Sequence, residues 1–357
     1  METSDLDSLL DKYKIRADLT HRVGLEDCSG VRAFKVEGKE IGSDLLELYI
    51  LDIPEGRQIA CYPHLVGDKF DRLNRACASK ASRAIKEITK FNRKGKFALH
   101  LHILRAAPGY RLWEAFGGLG IEVPQLWIRP RYKRISYRDH LIEDKHLEIV
   151  YRDFESLPKN EDLMLIVPDT IASGRSMVLS IEELLRASSE VRSRVRELML
   201  YGFVSLEGVE FLQERAKKWG IKLTAFALES ITPLAFNRYD MPLYGADESY
   251  WEKTGKVKLL GGITDRSVLK AFLPKYVPGC DQPGDFSARQ KRLFNGREYE
   301  LGGIAQHLKN SIKLIEDLER IPNCLESWQT EIAERELIRL REVLSLYQKN
   351  LEEKEKN

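Results

Sequence analysis

The sequence predicts an α/β protein: a parallel sheet with crossover helices, an N-terminal addition and a C-terminal helical hairpin. Two patterns carry this expectation. Between Phe97 and Leu228 short apolar runs alternate with amphipathic segments of helical length, as repeated strand–helix–strand units require. Beyond Pro274 strand patterns give way to a Pro- and Gly-rich stretch and then to two long helical repeats.

The elements follow in chain order. Residues 1 to about 60 mix short polar helices with strand-like runs such as LLELYILDI. From Phe70 to Phe91 the residues Leu73, Ala76, Cys77, Ala81, Ile85 and Ile88 form one helical stripe. FALHLHIL, Phe97 to Leu104, is the first core strand, Gly109–Phe116 reads as helix, and Ile121–Ile128 as the second strand. Arg129 to Arg138 holds five basic residues in ten and reads as an exposed hairpin or mobile loop. Leu163–Val167 is the third strand with its helix at Ser176–Ala187, Leu198–Ser205 the fourth with its helix at Val209–Trp219, and Lys222–Leu228 the fifth. KYVPGCDQPGD reads as a linker. Ile304, Leu308, Ile312, Ile315 and Leu318 then form a stripe, and Ile321-Pro322-Asn323 breaks the region into a helical hairpin. The implied divisions are 1–64, 65–273 and 285–357.

A length of 357 residues suits one large α/β domain with additions, or two domains, and 43% hydrophobic residues permit a sizeable core. Lys and Arg total 57 against 55 Asp and Glu, a formal net charge of +2. Such a balance gives no global signal for nucleic acid or membrane. Cysteines occur at 28, 61, 77, 280 and 324 with no C-x-x-C. This argues against a disulfide framework or a cysteine zinc site, and for a reduced, cytoplasmic setting. METSDLDSLLDKYK lacks the apolar centre of a signal peptide, and no apolar run reaches membrane-spanning length.

The chemistry concentrates after the third strand, in Asp169-Thr170-Ile171-Ala172-Ser173-Gly174-Arg175-Ser176. Ligands of open α/β sheets sit beyond the carboxyl ends of strands. A helix N-terminus offers unpaired N–H groups and partial positive charge, which suit a phosphate. Small residues permit close wrapping, and the hydroxyls of Thr170, Ser173 and Ser176 add donors. Asp169 suits sugar hydroxyls or a metal-bound ligand instead. An ordinary strand-to-helix turn capped by Ser173 or Thr170 explains the segment equally well on its own. The G-x-x-x-x-G-K phosphate loop is absent.

This segment resembles the phosphoribosyl pyrophosphate (PRPP) loop of type I phosphoribosyltransferases, with Pro168 where the first acid usually stands and Arg175 where Gly is common. Ile103-Leu104-Arg105-Ala106-Ala107 resembles the pyrophosphate loop of uracil phosphoribosyltransferase, with Ala107 in place of Gly. Met241-Pro242-Leu243-Tyr244-Gly245-Ala246-Asp247 is similar to its uracil loop, less one Gly and with Asp247 displaced by one residue. The resemblance spans about residues 65–255. It implies a phosphoribosyltransferase-like core and transfer of phosphoribose from PRPP, with Mg2+, to a small heterocyclic acceptor as pyrophosphate leaves. It also implies that residues 169–176 hold the 5′-phosphate, Asp169 the ribose, Arg105, Ala106, Ala107 and Arg129 the pyrophosphate, and Tyr244, Gly245 and Asp247 the base.

Other groups weigh less. Tyr239 and Tyr244 suit stacking on a base but also plain packing, and Asp247-Glu248 suits a solvated turn. His100 and His102 share one strand face without a third ligand, so core histidines are expected. The helical hairpin is expected to join two copies as a homodimer, or domains, rather than to carry catalysis. The departures at Pro168, Ala107 and 241–247 leave an alternative reading, a non-catalytic PRPP- or nucleotide-binding regulator. A nucleic-acid-binding role for 129–138 ranks below both.

Overall fold

The computed structural model describes residues 3–26, 28–38, 45–90, 97–132 and 147–356. Its centre is a nine-stranded sheet in the order β1-β2-β3-β9-β8-β7-β4-β5-β6. These strands are β1 (Thr20–Val23), β2 (Arg32–Val36), β3 (Leu46–Asp52), β4 (Phe97–Ile103), β5 (Gln125–Tyr132), β6 (Leu147–Asp153), β7 (Asp162–Pro168), β8 (Arg194–Ser205) and β9 (Lys222–Thr232). From β3 across to β5 every neighbouring pair is parallel, and β1, β2 and β6 join antiparallel at the two sides. The parallel strands are continuous apolar runs such as DLMLIVP because both of their faces are covered.

Helix α1 (Thr3–Tyr13) precedes β1, while α2 (Pro54–Cys61), α3 (Gly67–Thr89), α4 (Leu112–Gly117), α5 (Arg175–Glu190) and α6 (Leu206–Trp219) follow strands as crossovers and covers. The stripe expected before β4 is real: Phe70, Cys77, Ala81 and Ile85 of α3 are buried. The helix expected at Gly109–Phe116 is divided. A 3-10 turn, Ala107–Tyr110, meets α4 at Arg111, whose left-handed backbone (φ +57°) interrupts a continuous helix.

The segment before residue 64 contributes β1 to β3, and β3 pairs in parallel with β9, so it continues the central sheet. Residues 129–132 of the basic run lie in β5, and 133–138 fall outside the described residues.

After β9 comes a short antiparallel pair, β10 (Tyr244–Ala246) and β11 (Leu259–Gly261), with α7 (Glu248–Thr254) between its strands, then α8 (Arg266–Phe272) and α9 (Phe286–Arg289). The hairpin β12 (Arg292–Phe294) and β13 (Tyr299–Leu301) precedes α10 (Ile304–Arg320) and α11 (Ser327–Lys356). The stretch expected as a linker is packed: Tyr276, Val277 and Cys280 are buried, and the Tyr276 hydroxyl accepts from Leu243 N–H at 2.9 Å. Its Pro and Gly residues shape a tight path rather than a loose tether. Ile304, Leu308, Ile315 and Leu318 of α10 are buried within the chain, while Ile338, Leu346 and Leu351 of α11 are exposed.

His100 and His102 are core histidines. Their rings lie 4.5 Å apart, His102 stacks on Trp127 at 4.1 Å, and its Nε2 is 3.0 Å from Gln125 Oε1. Burial lowers both imidazoles, His102 to about 4. All five cysteines are buried and none is in a disulfide. Among the described residues no helix is long and apolar enough to cross a membrane.

Candidate functional site

The sheet order creates the site. From β4 the chain moves outward to β5 and β6, then returns to β7 on the other side of β4 and moves away to β8 and β9. The β4/β7 boundary is therefore a topological switch point, where the loops after neighbouring strands diverge and leave a crevice. A cleft of about 300 Å3 lies there, lined by Ile103 to Ala106 after β4 and Asp169 to Met177 after β7. That volume is at the small-molecule end of ligand pockets.

The loop after β7 stays on the sheet for two more residues. Asp169 N–H donates to Tyr201 O at 3.0 Å, and Ile171 N–H to Phe203 O at 2.8 Å. It then turns at Gly174, which has φ +72° and is the N-cap of α5. A glycine cap supplies no side chain, so the first N–H groups of this helix have no side-chain cap and open on the cleft. Sequence reasoning assigned Gly174 to close approach of a ligand. The structure gives two other reasons: the left-handed backbone, and a Cβ there would stand 3.1 Å from Gly208 O and 3.3 Å from the Phe211 ring of α6.

Three supports of the loop were missed in the sequence. Gly202 of β8 passes so close to Asp169 O that any Cβ would collide, and Gly208 of α6 stands in the same relation to Ala172 O. Ser205, the N-cap of α6, accepts from Gly208 N–H at 2.9 Å and donates to Ala172 O at 2.5 Å. Two glycines and a serine at three-residue intervals across a strand-to-helix junction leave only a weak sequence signal. The fourth support, Tyr110, is buried, with its hydroxyl 2.5 Å from Thr170 Oγ1.

Asp169 is 8% exposed and borders the cleft. Its Oδ1 accepts from Thr170 N–H at 2.9 Å. Burial pushes its carboxyl up to about 8, against a smaller downward pull from that N–H. Burial thus favours the uncharged acid, and a cation or hydrogen-bond donor arriving beside it favours ionisation.

Arg105 follows β4, and the Leu104–Arg105 peptide bond is cis. Arg105 lines the cleft, and its guanidinium pairs with Glu300 of β13 at 2.5 Å. Burial is the largest single influence on the Glu300 carboxyl and would raise it, but Arg105, Asn295 and Arg129 together hold the group below its ordinary value. Ala106 lines the cleft, whereas Ala107 is buried in the 3-10 turn. Arg129 is placed behind the rim: its Nη1 donates to Asn295 O at 2.9 Å, and burial together with nearby Arg105 lowers it. Its strand neighbours Pro130 and Tyr132 line the cleft instead.

The expected base loop is elsewhere. Tyr244 is fully buried between Tyr13 and Tyr276, with ring separations of 4.9 and 5.4 Å. Asp247 caps α7, accepting from Tyr250 N–H at 3.1 Å and Ser249 Oγ at 2.7 Å through Oδ1, and from Phe236 N–H at 2.9 Å through Oδ2. Gly245 has φ +131° and faces the backbone of Gly279 so closely that no Cβ fits. None of these residues borders the cleft, and Glu248 is likewise buried in α7. The far wall is made by Arg238, Tyr239 and the segment 281–287. Of the aromatic candidates, Tyr239 alone reaches it.

No family model and no curated protein matches this chain. Solved structures similar to part of it include an adenine phosphoribosyltransferase from Trypanosoma brucei, in complex with AMP, pyrophosphate and ribose-5-phosphate. The identity is 14%, covering 51% of this chain and 83% of that one, with a TM-score of 0.31. An adenine phosphoribosyltransferase from Leishmania donovani matches at 11% identity, over 52% and 85%, with a TM-score of 0.33. A hypoxanthine phosphoribosyltransferase from Trypanosoma cruzi, complexed with the product IMP, matches at 13%, over 46% and 77%, with a TM-score of 0.28. These likenesses concern architecture over about half of the chain.

Proposed function

We propose that this protein transfers the phosphoribosyl group of PRPP to a small nitrogen heterocycle with release of pyrophosphate. One observation carries the reading: a buried acid, an α5 N-terminus without a side-chain cap and an arginine loop border the same switch-point cleft. A helix start suits a terminal phosphate. The carboxyl of Asp169, six residues before the start of α5, suits ribose hydroxyls. Arg105, on the loop after the adjacent strand, suits the diphosphate.

In this reading the bond from the anomeric carbon to the pyrophosphate oxygen breaks while a bond to the acceptor nitrogen forms. The protein contributes positioning and charge stabilisation. Residues 172–176 hold the 5′-phosphate. Asp169 holds the sugar and, once ionised, stabilises positive charge developing on the ring. Arg105 stabilises the departing diphosphate.

Among the described residues no group of three or more His, Cys, Asp or Glu stands ready as a metal cage. Mg2+ binds through substrate phosphates, water and one or two carboxylates, and Asp169 would be the carboxylate to hold it here. Mg2+ would supply neutralisation of the diphosphate charge.

Calorimetry with PRPP, pyrophosphate and ribose 5-phosphate tests the reading. All three are expected to bind, PRPP most tightly and with Mg2+ dependence. Absence of binding by every one of them, in folded protein, would remove it.

A further inference from the structure

The wall opposite the phosphate loop belongs to a segment beyond the family resemblance, and its chemistry names an acceptor class. Asp281 and Asp285 line the cleft and also an adjoining recess of about 40 Å3 shared with Tyr239, Asp240 and His307. The recess is large enough for one small polar group.

The orientation of these groups is held. Asp281 Oδ1 accepts from Met241 N–H at 2.8 Å, and Asp285 Oδ1 from Ala288 N–H at 3.0 Å. Asp240 Oδ2 accepts from Asn237 Nδ2 at 2.7 Å. His307 is 2% exposed, and its Nε2 lies 2.9 Å from Pro63 O, which can only accept. Nε2 therefore carries the proton and Nδ1 is the lone-pair nitrogen. Burial, aided by Arg289, lowers this imidazole to about 3, so it stays neutral.

Three carboxyl groups and an imidazole lone pair thus border one recess, against a single amide, Asn310, and the hydroxyls of Ser311 and Tyr239. An amino group offers such a lining its N–H donors. A carbonyl oxygen at the same place meets lone pair against lone pair, and such a mismatch discriminates strongly.

We propose that the recess takes the exocyclic amino group of the acceptor, so that Asp281 and Asp285 select an amino-substituted nitrogen heterocycle over its oxo counterpart. The inference rests on the phosphoribosyl-transfer reading and adds the acceptor class to it.

The test compares matched amino and oxo ligands: AMP with IMP, CMP with UMP, and ribose 5-phosphate as the ligand without a base. Affinities are measured by calorimetry on the full chain. The expected result is amino over oxo by about tenfold or more in both pairs, a difference of about 1.4 kcal/mol. Asp281→Asn is expected to abolish most of that preference and leave ribose 5-phosphate within about twofold. Asp285→Asn, which retains the α9 cap, is the second variant should the first fail to fold. Equal affinities, or oxo over amino, with ribose 5-phosphate still bound would overturn this inference and leave the phosphoribosyl reading standing. Loss of the preference in neither variant would also overturn it. No binding by ribose 5-phosphate or any nucleotide would remove both readings together.

Discussion

The hydroxyls of Tyr110 and Thr170 share a hydrogen bond of 2.5 Å, and the Tyr110 ring stacks on Phe286 at 4.0 Å with an interplanar angle of 7°. One buried side chain therefore joins the loop after β7 to the opposite wall of the cleft. Tyr110→Phe keeps the stack and removes the hydroxyl, and Thr170→Val removes its partner. Each is expected to cost about 1 kcal/mol in stability and to weaken ribose 5-phosphate. Melting curves and binding of both single variants and the double variant form a cycle. A coupling above about 0.5 kcal/mol is expected, and strictly additive effects would mean the contact does not hold the loop.

Asp169→Asn is expected to cut pyrophosphate release strongly, about tenfold per 1.4 kcal/mol lost, because the amide cannot carry the charge that favours the developing cation. The same variant carries a pH signature. The folded carboxyl stands at about 8, above its ordinary value of 3.8. The folded state therefore holds a proton that the unfolded state has released. The associated stability is present below pH 3.8 and lost as pH rises through 8. The melting temperature of wild type, measured relative to Asp169→Asn in the absence of ligand, should fall across that window and level off above it. A pH-independent difference would show that the acid is already ionised.

Arg289 is fully buried and donates to four carbonyls: Leu65 O at 3.1 Å, Ile59 O at 3.0 Å, Pro283 O at 3.1 Å and Tyr62 O at 2.9 Å. Its guanidinium also lies 4.5 Å from the Phe70 ring centroid. It pins the wall segment to the start of α3. Arg289→Met leaves these acceptors unsatisfied and is expected to destabilise by about 3 kcal/mol or more. Arg289→Lys should recover little of this, since an ammonium lacks the planar fork. Denaturant midpoints check the loss, and hydrogen exchange at 281–287 should quicken. Unchanged exchange there would sink the pinning role.

Gly174→Ala is expected to lower stability by about 1–2 kcal/mol, from the positive φ and the crowding against Gly208. Ribose 5-phosphate should weaken with it. Ser173→Ala and Ser176→Ala, which leave the backbone alone, should weaken the phosphate ligand while keeping the melting temperature. Calorimetry and thermal melts on the three variants separate the two effects. A Gly174→Ala protein as stable as wild type would refute the backbone argument.

Arg105→Ala is expected to weaken PRPP and pyrophosphate far more than ribose 5-phosphate. Its pair with Glu300 is substantially exposed, 41% and 32% for the two side chains. The stability change should stay within about 1 kcal/mol. Equal losses for all three ligands would place Arg105 away from the diphosphate.

Much of the architecture was legible because it is written locally. Parallel strands buried on both faces read as unbroken apolar runs such as LMLIV, and α3 and α10 show their buried stripes directly. The positions of the loop after β7 and of Arg105 were legible for a related reason: both follow a strand immediately, so their place beyond the sheet edge comes with the strand. What the sequence did not carry was adjacency between distant segments. Tyr244 and Asp247 sit in a plausible motif, yet packing against Tyr13 and Tyr276 and the capping of α7 occupy them. The stretch 275–285 has the composition of a linker, yet Arg289 and the Tyr276 hydroxyl fold it into the cleft wall. Composition and periodicity report the environment a residue prefers. Which partner supplies that environment, across more than a hundred residues from Tyr110 to Phe286, is decided only when the whole chain has collapsed into one core.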